Sequence, residues 1–286
     1  MQNASWSNVT EAPLYQEHLL LGGQFGDPEA LLATPLHYGF QDAERDVFLE
    51  GCGLADLTGM TSILVSGEGA DTYISASCAH DPLAVGECSF GAVVTGDGSI
   101  ASVPFLARTG DAEYLVFDPS ERGLMLQPWL SFLVDIEQDG FKPFGGVTVE
   151  DATDALIPLL LWGPQAQAIL ADYVPSVDVL PAPGHIANVR LDRIECLVAN
   201  LPGMEQTSYL VMVPPAAARA LWRSLLSFGA VSPVGIQQLG HMARATFPWM
   251  EAVLSEGRLE ATLSQLIDWE LARAEGGFVG ARALQN

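Results

Sequence analysis

The sequence is short of basic residues, and this shortage limits what the protein can bind. Twelve lysines and arginines face 35 aspartates and glutamates, the formal net charge at pH 7 is -23, and Lys142 is the only lysine. Such a charge repels phosphate backbones, so nucleic acid is a poor partner and an anionic membrane surface is equally unfavourable. An anionic ligand would need local arginines or helix N-termini to bind against this charge.

Long apolar runs are also absent, and the N-terminal residues do not have the pattern of a signal sequence. The most apolar run, Ala155–Trp162, contains Pro158 and falls short of the ~18 residues of a membrane helix, so it predicts a buried strand. The N-terminus lacks a basic segment followed by an apolar one, so we expect no secretory signal and interpret the sequons at Asn3 and Asn8 as accidental. With four cysteines in 286 residues, these features predict reduced thiols and a cytoplasmic location.

The residues that are present suit a folded protein with a large core. Hydrophobic residues make up 49% of the chain and charged residues 16%, which suggests one or two domains. Periodicity predicts one α+β series from residue 62 to 134, with a hairpin turn at Gly96-Asp97-Gly98. A similar series from Leu159–Trp162 to Pro215–Phe228 predicts a second α+β unit in tandem.

The stretch CAHDPLAVGECSF, residues 78–90, concentrates groups that can carry chemistry. Its spacing is not that of a zinc motif, so buried cysteines are the simpler interpretation. Cys78 and His80 would form a nucleophilic pair only on an extended strand, and Asp81-Pro82 indicates a turn. Asp81 is therefore either a solvated turn residue or a partly buried carboxylate that accepts hydrogen bonds from a nitrogen heterocycle.

Other catalytic motifs do not occur in the chain. There is no G-x-S-x-G elbow, no P-loop and no G-x-G-x-x-G after a strand, and we interpret Gly51-Cys52-Gly53 and Gly67-Glu68-Gly69 as turns. Tryptophans usually belong to the core. Trp249 follows Pro248 in an irregular segment, so we expect it to line a cavity.

Several segments, in the same order, resemble the T-protein of the glycine cleavage system, the folate-dependent aminomethyltransferase family. They are TEAPLYQEHLLLGG, GLADLTGMTSILVSGEGADTYISASCAHD, LAVGECSFGAVVTGDGSIASVPFLAR, AEYLVFDPSERG, LLLWGPQAQAIL, SYLVMVPPAAARALWRSLLSFGAVSPVGIQQL and FVGARAL. The resemblance extends over nearly the whole chain. It implies a fold of two ferredoxin-like units in the folate-binding arrangement of that family, within the α+β class.

The resemblance also implies a ligand and a set of site residues. The ligand would be tetrahydrofolate or a derivative, with no metal, and Asp81 would be the catalytic group that contacts it. The pocket would be lined by the residues Met60, Asp81, Phe90, Asp118, Tyr209 and Trp249. A carboxylate at this position would do acid–base and electrostatic work while a one-carbon unit moves from an amine to a folate nitrogen.

The sequence departs from the family pattern at several positions. The family's pterin-reading glutamate falls on Leu210, which cannot accept hydrogen bonds, and its asparagine falls on Asp118. Both arginines of a family helix are lost in the segment 237–243. The given sequence stops after FVGARAL, so we expect no C-terminal barrel unless a protein partner supplies that domain.

These observations predict three ranges and leave the activity open. Residues 1–46 would pack on the second unit, 47–142 would form the first α+β unit carrying Asp81, and 143–286 would form the second. The function would be aminomethyl or methyl transfer to tetrahydrofolate. The alternative is a non-catalytic folate-binding or regulatory protein of the same superfamily, and a third possibility is a subunit with an empty pocket.

Overall fold

The chain forms two compact units, and each is built from two separate segments. In the computed structural model, which describes residues 11–26, 33–39, 41–137, 139–255 and 257–285, the first unit draws on Met1–Gly59 and Thr153–Phe247. The second draws on Met60–Ala152 and Pro248–Asn286. The three ranges expected from the sequence are continuous. The difference arises because residues 248–286 pack with 60–152, through bonds such as those from the Ala92 amide to the Leu271 carbonyl and from the Ile100 amide to the Leu259 carbonyl.

Both units contain helices and strands. The helices are α1 (Tyr15–Leu20), α2 (Gln41–Glu50), α3 (Ala70–Ser77), α4 (Gly123–Val134), α5 (Ala166–Ala171), α6 (Pro215–Leu225), α7 (Ile236–Thr246), α8 (Met250–Val253), α9 (Leu263–Asp268) and α10 (Ala281–Leu284). The strands are β1 (Cys52–Asp56), β2 (Thr61–Gly67), β3 (Cys88–Phe90), β4 (Val93–Val94), β5 (Ile100–Ser102), β6 (Phe105–Gly110), β7 (Glu113–Asp118), β8 (Val147–Asp151), β9 (Ile157–Trp162), β10 (His185–Leu191), β11 (Ile194–Asn200), β12 (Ser208–Val213) and β13 (Val231–Pro233). The α+β class predicted from the sequence is confirmed.

The sheet of the first unit has the strand order β10-β11-β12-β9-β1-β13. All its neighbours are antiparallel except β1 and β13, which run parallel. Strand β1 is buried at every position, although we expected a turn at Gly51-Cys52-Gly53. That expectation was wrong because Gly53 is needed for packing: a Cβ there would lie 2.9 Å from the Phe48 ring and from Val234.

The sheet of the second unit has the order β3-β6-β7-β2-β8 and is antiparallel throughout. Its core lies between the sheet and helices α3 and α4, and includes Ile63, Val116, Leu126 and Leu130. Strands β4 and β5 form a separate hairpin around the predicted Gly-Asp-Gly turn. Strands β5 and β6 are separated at Pro104, which has no N–H to donate to a ladder.

The described helices are all too short or too polar to cross a lipid bilayer.

Candidate functional site

Asp81 lies on a loop of the second unit that begins where α3 ends. The hydroxyl of Ser77 donates to the Tyr73 carbonyl within the last turn, and Cys78 then adopts an extended conformation. Pro82 has no N–H, so the helix cannot resume at this point. Helix α3 therefore ends at Ser77, and His80 and Asp81 lie in the loop that leads to β3.

Arg273 fixes the N-terminal side of this loop. Its backbone amide donates to the Ala79 carbonyl at 2.8 Å. Its guanidinium donates to the carbonyls of Cys78 at 3.1 Å, His80 at 2.7 Å and Ser75 at 2.6 Å. Burial lowers the pKa of Arg273, and the negative charge of Asp81 acts in the opposite direction. A half-buried positive charge is therefore held beside the loop and interacts with the Asp81 carboxylate.

Arg108 fixes the other side of the loop. It donates to the Leu83 carbonyl at 3.0 Å, and its backbone amide donates to the Glu87 carbonyl at 3.0 Å. The Asp71 carboxylate accepts from Arg108 at 2.8 Å and from the Tyr114 hydroxyl at 2.7 Å. The loop is therefore attached to α3 and to strands β6 and β7, which limits the positions that Asp81 can take.

The Asp81 side chain is exposed and its acceptor sites are open. Among the described residues, no donor is hydrogen-bonded to its carboxylate, whereas its backbone carbonyl lies 2.7 Å from Nδ1 of His80. A carbonyl oxygen can only accept, so in the neutral imidazole Nδ1 carries the proton and Nε2 is left as an acceptor. Gly91 makes this close packing possible, because a Cβ there would lie 2.8 Å from Cβ of His80.

A cavity of about 440 Å³ opens beside this loop, which is a size typical of small-ligand sites. Its lining comes from α3, the loop and the two adjacent strands, and includes the side chains of Asp71, Ser75, His80, Asp81, Leu106, Arg108 and Tyr114. Both Asp71 and Arg108 are engaged with each other, so Asp81 and His80 supply acceptors that a ligand can reach.

The cysteines near the loop are packing residues. Cys78 and Cys88 are buried, and burial raises the pKa of each thiol to about 12. At neutral pH both are therefore protonated and poorly nucleophilic. Within the part of the chain that the structure describes, no group of three or more His, Cys, Asp and Glu side chains is placed to hold a metal ion.

Two of the other predicted pocket residues lie together on the sheet of this unit. The rings of Phe90 and Trp249 are 5.8 Å apart. Phe90 pairs with Phe105, so both lie on one face, whereas Leu106 of the cavity is the next residue along β6 and lies on the opposite face. Phe90 and Trp249 thus form an aromatic cluster on the other face of the sheet from the cavity. Met60 is buried one residue before β2.

Asp118, another predicted pocket residue, is buried at the end of β7. Its carboxylate accepts from the hydroxyl of Ser102 and from the amide and hydroxyl of Ser120 at 2.8 and 2.7 Å. Burial raises the pKa of Asp118 in spite of these bonds. In this position Asp118 orders the entry to α4, and its role in ligand binding stays a prediction.

Tyr209 lies in the first unit. Its side chain is in the core beneath α5 and α6, and burial raises its pKa. Leu210 points to the opposite face of β12, pairs with Leu160 and Ala199, and is 2% exposed. The face that Leu210 shares with these residues is apolar and offers no acceptor at this position.

The first unit also contains a buried polar cluster that sequence reasoning missed. Nε2–H of His18 donates to Asp56 at 2.8 Å, and the hydroxyl of Tyr38 donates to Nδ1 of His18 at 2.7 Å. Thr58 donates its amide and hydroxyl to the other oxygen of Asp56. Burial raises the pKa of Tyr38, and the charges of Asp56 and Glu44 add to this effect.

Known aminomethyltransferases are similar to this chain over most of its length. An aminomethyltransferase from Chlorobium limicola is 26% identical over 97% of this chain and 76% of its own length. One from Chlorobaculum parvum is 28% identical over 88% of this chain and 68% of its own length. The crystal structure of glycine cleavage system aminomethyltransferase T from Bartonella henselae has a TM-score of 0.75 at 22% identity, covering 96% of this chain and 73% of that one, which shows a shared fold.

The family match covers both units described above. The sequence model of the GCVT N-terminal domain matches residues 14–254, which include the Asp81 loop and both sheets. The chain therefore belongs to the GCVT N-terminal domain family.

Proposed function

We propose that this protein binds a reduced folate and takes part in one-carbon transfer, with Asp81 as the group that contacts the ligand. Membership of a family that includes aminomethyltransferases supports a reaction of this class. The observation that carries the proposal is the state of Asp81. Its carboxylate is exposed beside a cavity of about 440 Å³, on a loop that two arginines hold in place.

The donors and acceptors around Asp81 suit a ligand that presents N–H groups. Arg273 and Arg108 direct their guanidinium groups mainly at backbone carbonyls, so they shape the loop and do not offer an anion site. The polar groups that remain for a ligand are the Asp81 carboxylate and Nε2 of His80, both acceptors. A tetrahydrofolate ring system carries several N–H donors, which matches this set.

Asp81 would contribute in two ways. Its carboxylate accepts a hydrogen bond from a ligand nitrogen, which orients the ligand at the loop. Its negative charge, carried by a loop whose backbone is held before the reaction, stabilises positive charge that develops on the one-carbon unit during transfer. A bound reduced folate would supply the nitrogen that takes up the one-carbon unit. His80, with Nε2 as an acceptor, could hold a proton during the same step.

A second candidate is a folate-binding or regulatory protein without catalysis. Leu210 favours this reading, because an apolar side chain lies where the resemblance places a pterin-reading carboxylate. A buried pterin edge that faces it would lose a charge-assisted pair of about 1.5–3 kcal/mol. The two candidates differ in turnover: both bind reduced folate, and only the first transfers a one-carbon unit to it.

The first test is an anaerobic titration with reduced tetrahydrofolate, followed by tryptophan fluorescence and confirmed by calorimetry. We expect saturable binding in the micromolar range. Asp81→Asn should raise the Kd by about 10–100-fold, because a charge-assisted hydrogen bond of about 1.5–3 kcal/mol is lost.

Asp111→Asn is the matched control, since Asp111 is an exposed aspartate of the same unit outside the cavity. It should leave the Kd unchanged. Equal Kd values for wild type and Asp81→Asn would remove Asp81 from the site. No binding up to about millimolar concentration would refute the folate proposal for both candidates.

A further inference from the structure

Helix α4 carries no charge and exposes large apolar side chains, which is unusual for a helix at a protein surface. Leu126, Leu130 and Leu133 face the core of the second unit. On the opposite side, Leu124 and Met125 are 65% and 67% exposed. Residues 123–134 contain no charged side chain, although the chain as a whole has a net charge of -23.

The exposed apolar surface continues beyond this helix. Phe132 is 59% exposed on the same side of α4, and Ile136 and Phe141 after the helix are 37% and 68% exposed. We call Leu124, Met125, Phe132, Ile136 and Phe141 the α4 surface. Large apolar side chains exposed on one side of a helix are typical of an interaction site.

We propose that the α4 surface binds the α4 surface of a second copy of this chain. In this pair the two helices run antiparallel about a two-fold axis near Pro128. This residue is exposed and lies midway between Leu124 and Phe132, so the same patch on each copy meets itself. The interface would be separate from the Asp81 cavity, since none of the α4 surface residues lines that cavity.

Charge favours a second copy at this surface over any other position on the chain. Two copies of a chain with a net charge of -23 repel each other strongly wherever acidic surfaces meet. Helix α4 is free of charge, so this repulsion is weakest there.

The area is sufficient for a weak but specific dimer. A large apolar side chain that is roughly 60% exposed offers on the order of 100 Å² for burial. The α4 surface therefore supplies about 500 Å² per copy and about 1,000 Å² in the pair, near the lower limit for specific interfaces. We expect a dimer that dissociates in the micromolar range.

Sedimentation equilibrium of the full chain over a range of concentrations tests this proposal. The wild type should pass from monomer to dimer, and Phe132→Glu should raise the dissociation constant at least about tenfold by placing a charge in the apolar contact. Leu49→Glu is the matched control, because Leu49 is an exposed leucine, 64% accessible, on α2 of the first unit. It should leave the dissociation constant unchanged.

Crosslinking gives a second measurement that does not depend on a destabilising charge. The four native cysteines are buried, so Pro128→Cys introduces one accessible thiol on the proposed axis. A short bis-maleimide should link two Pro128→Cys chains and should not link two Leu49→Cys chains. A wild type that stays monomeric at all concentrations would overturn the proposal. A dimer that Phe132→Glu does not weaken, and in which two Pro128→Cys chains do not crosslink, would also overturn it. An α4 surface that binds lipid vesicles or a different protein, while the wild type stays monomeric, would likewise overturn the proposal.

Discussion

The two units each contain a histidine beside an aspartate, and the two pairs differ in almost every physical respect. In the first unit, His18 and Asp56 are 0% and 1% exposed and bond to each other directly. In the second unit, His80 and Asp81 are neighbours in sequence, yet the His80 ring faces the Asp81 backbone carbonyl. The carboxylate of Asp81 is left exposed at a cavity.

Asp56 is a structural carboxylate, whereas the Asp81 carboxylate is available to a ligand. Both oxygens of Asp56 are occupied by His18 and Thr58, so a ligand has no acceptor to use there. Asp81 has open acceptors and a backbone fixed by Arg273 and Arg108. A carboxylate that is held in place and left unsatisfied is suited to binding, because its hydrogen bonds are made only when the ligand arrives.

The largest expected effect lies in the first unit. Asp56→Ala leaves His18, the Thr58 amide and the Thr58 hydroxyl without an acceptor in a buried site. We expect the free energy of unfolding to fall by about 3–5 kcal/mol. Asp81→Asn should change it by less than about 0.5 kcal/mol. Urea unfolding followed by circular dichroism measures both free energies. A loss of stability below about 1 kcal/mol for Asp56→Ala would show that Asp56 is not a structural carboxylate.

The next effect concerns the arginine that holds the Asp81 loop. Arg273→Ala removes the bonds to Ser75, Cys78 and His80 and should destabilise the protein by about 1–3 kcal/mol. The Ala79 amide, which donates to Ala92, should exchange its hydrogen faster. Arg273→Lys keeps the charge and loses the planar fork, so exchange should still be faster.

An exposed arginine of the same unit provides the control for Arg273. Arg258 makes surface ion pairs with Asp97 and Glu260, so Arg258→Ala should leave the exchange of Ala79 as in the wild type. If Arg273→Ala also leaves that exchange unchanged, then Arg273 does not fix the loop.

Asp118 is a third case, because it is buried like Asp56 but lacks a histidine partner. Burial raises its pKa above the unfolded value of about 3.9. The folded state therefore holds this proton more tightly, so the stabilising contribution is present below about pH 4 and is lost as pH rises through the folded pKa. Asp118→Asn should keep the Ser120 bonds and raise stability at pH 7 by up to about 1 kcal/mol.

The pH dependence is the diagnostic part of this prediction. The gain from Asp118→Asn should shrink toward pH 4, where the wild-type carboxyl is also neutral. Urea midpoints at several pH values measure it. A variant that is less stable than the wild type at pH 7 would show that the Asp118 charge is stabilising.

The smallest expected effect is at the exposed hairpin of the second unit. The hydroxyl of Thr95 and the amide of Ser99 donate to Asp97 and lower its pKa to about 2. The associated stability is present above the unfolded pKa and is lost as pH falls through 2. In Thr95→Ala, an NMR titration should show the pKa of Asp97 moving up toward 3.8. An unchanged pKa would assign the shift to Ser99 alone.

Local pattern in the sequence predicted many of the elements but not how they come together. The buried strand expected in Ala155–Trp162 and the turn at 96–98 follow from an apolar run and from turn residues. The structure has a strand at Ile157–Trp162 and a hairpin around that turn. Strand β1 was missed because Gly51 and Gly53 look like a turn. Gly53 is explained by its close approach to Phe48, and Gly51 by its close approach to the Ala230 carbonyl.

The candidate site could likewise be predicted only in part from local pattern. Asp81 was singled out by its place in the loop and by the family resemblance. Arg273, which holds that loop, lies more than 190 residues away, and His18 and Asp56 are 38 residues apart. No local spacing reveals such pairs, because they depend on how distant segments pack. One usable signal was scarcity: in a chain with twelve basic residues, each arginine is a candidate for a specific contact.

The most direct measurement is the calorimetric titration of wild type and Asp81→Asn with reduced tetrahydrofolate, with the urea midpoint of each protein measured in parallel. Our account predicts equal midpoints and a Kd that rises by about 10–100-fold in the variant. Equal Kd values would contradict it. A lower midpoint together with weaker binding would also contradict it, because Asp81 would then be a structural carboxylate like Asp56.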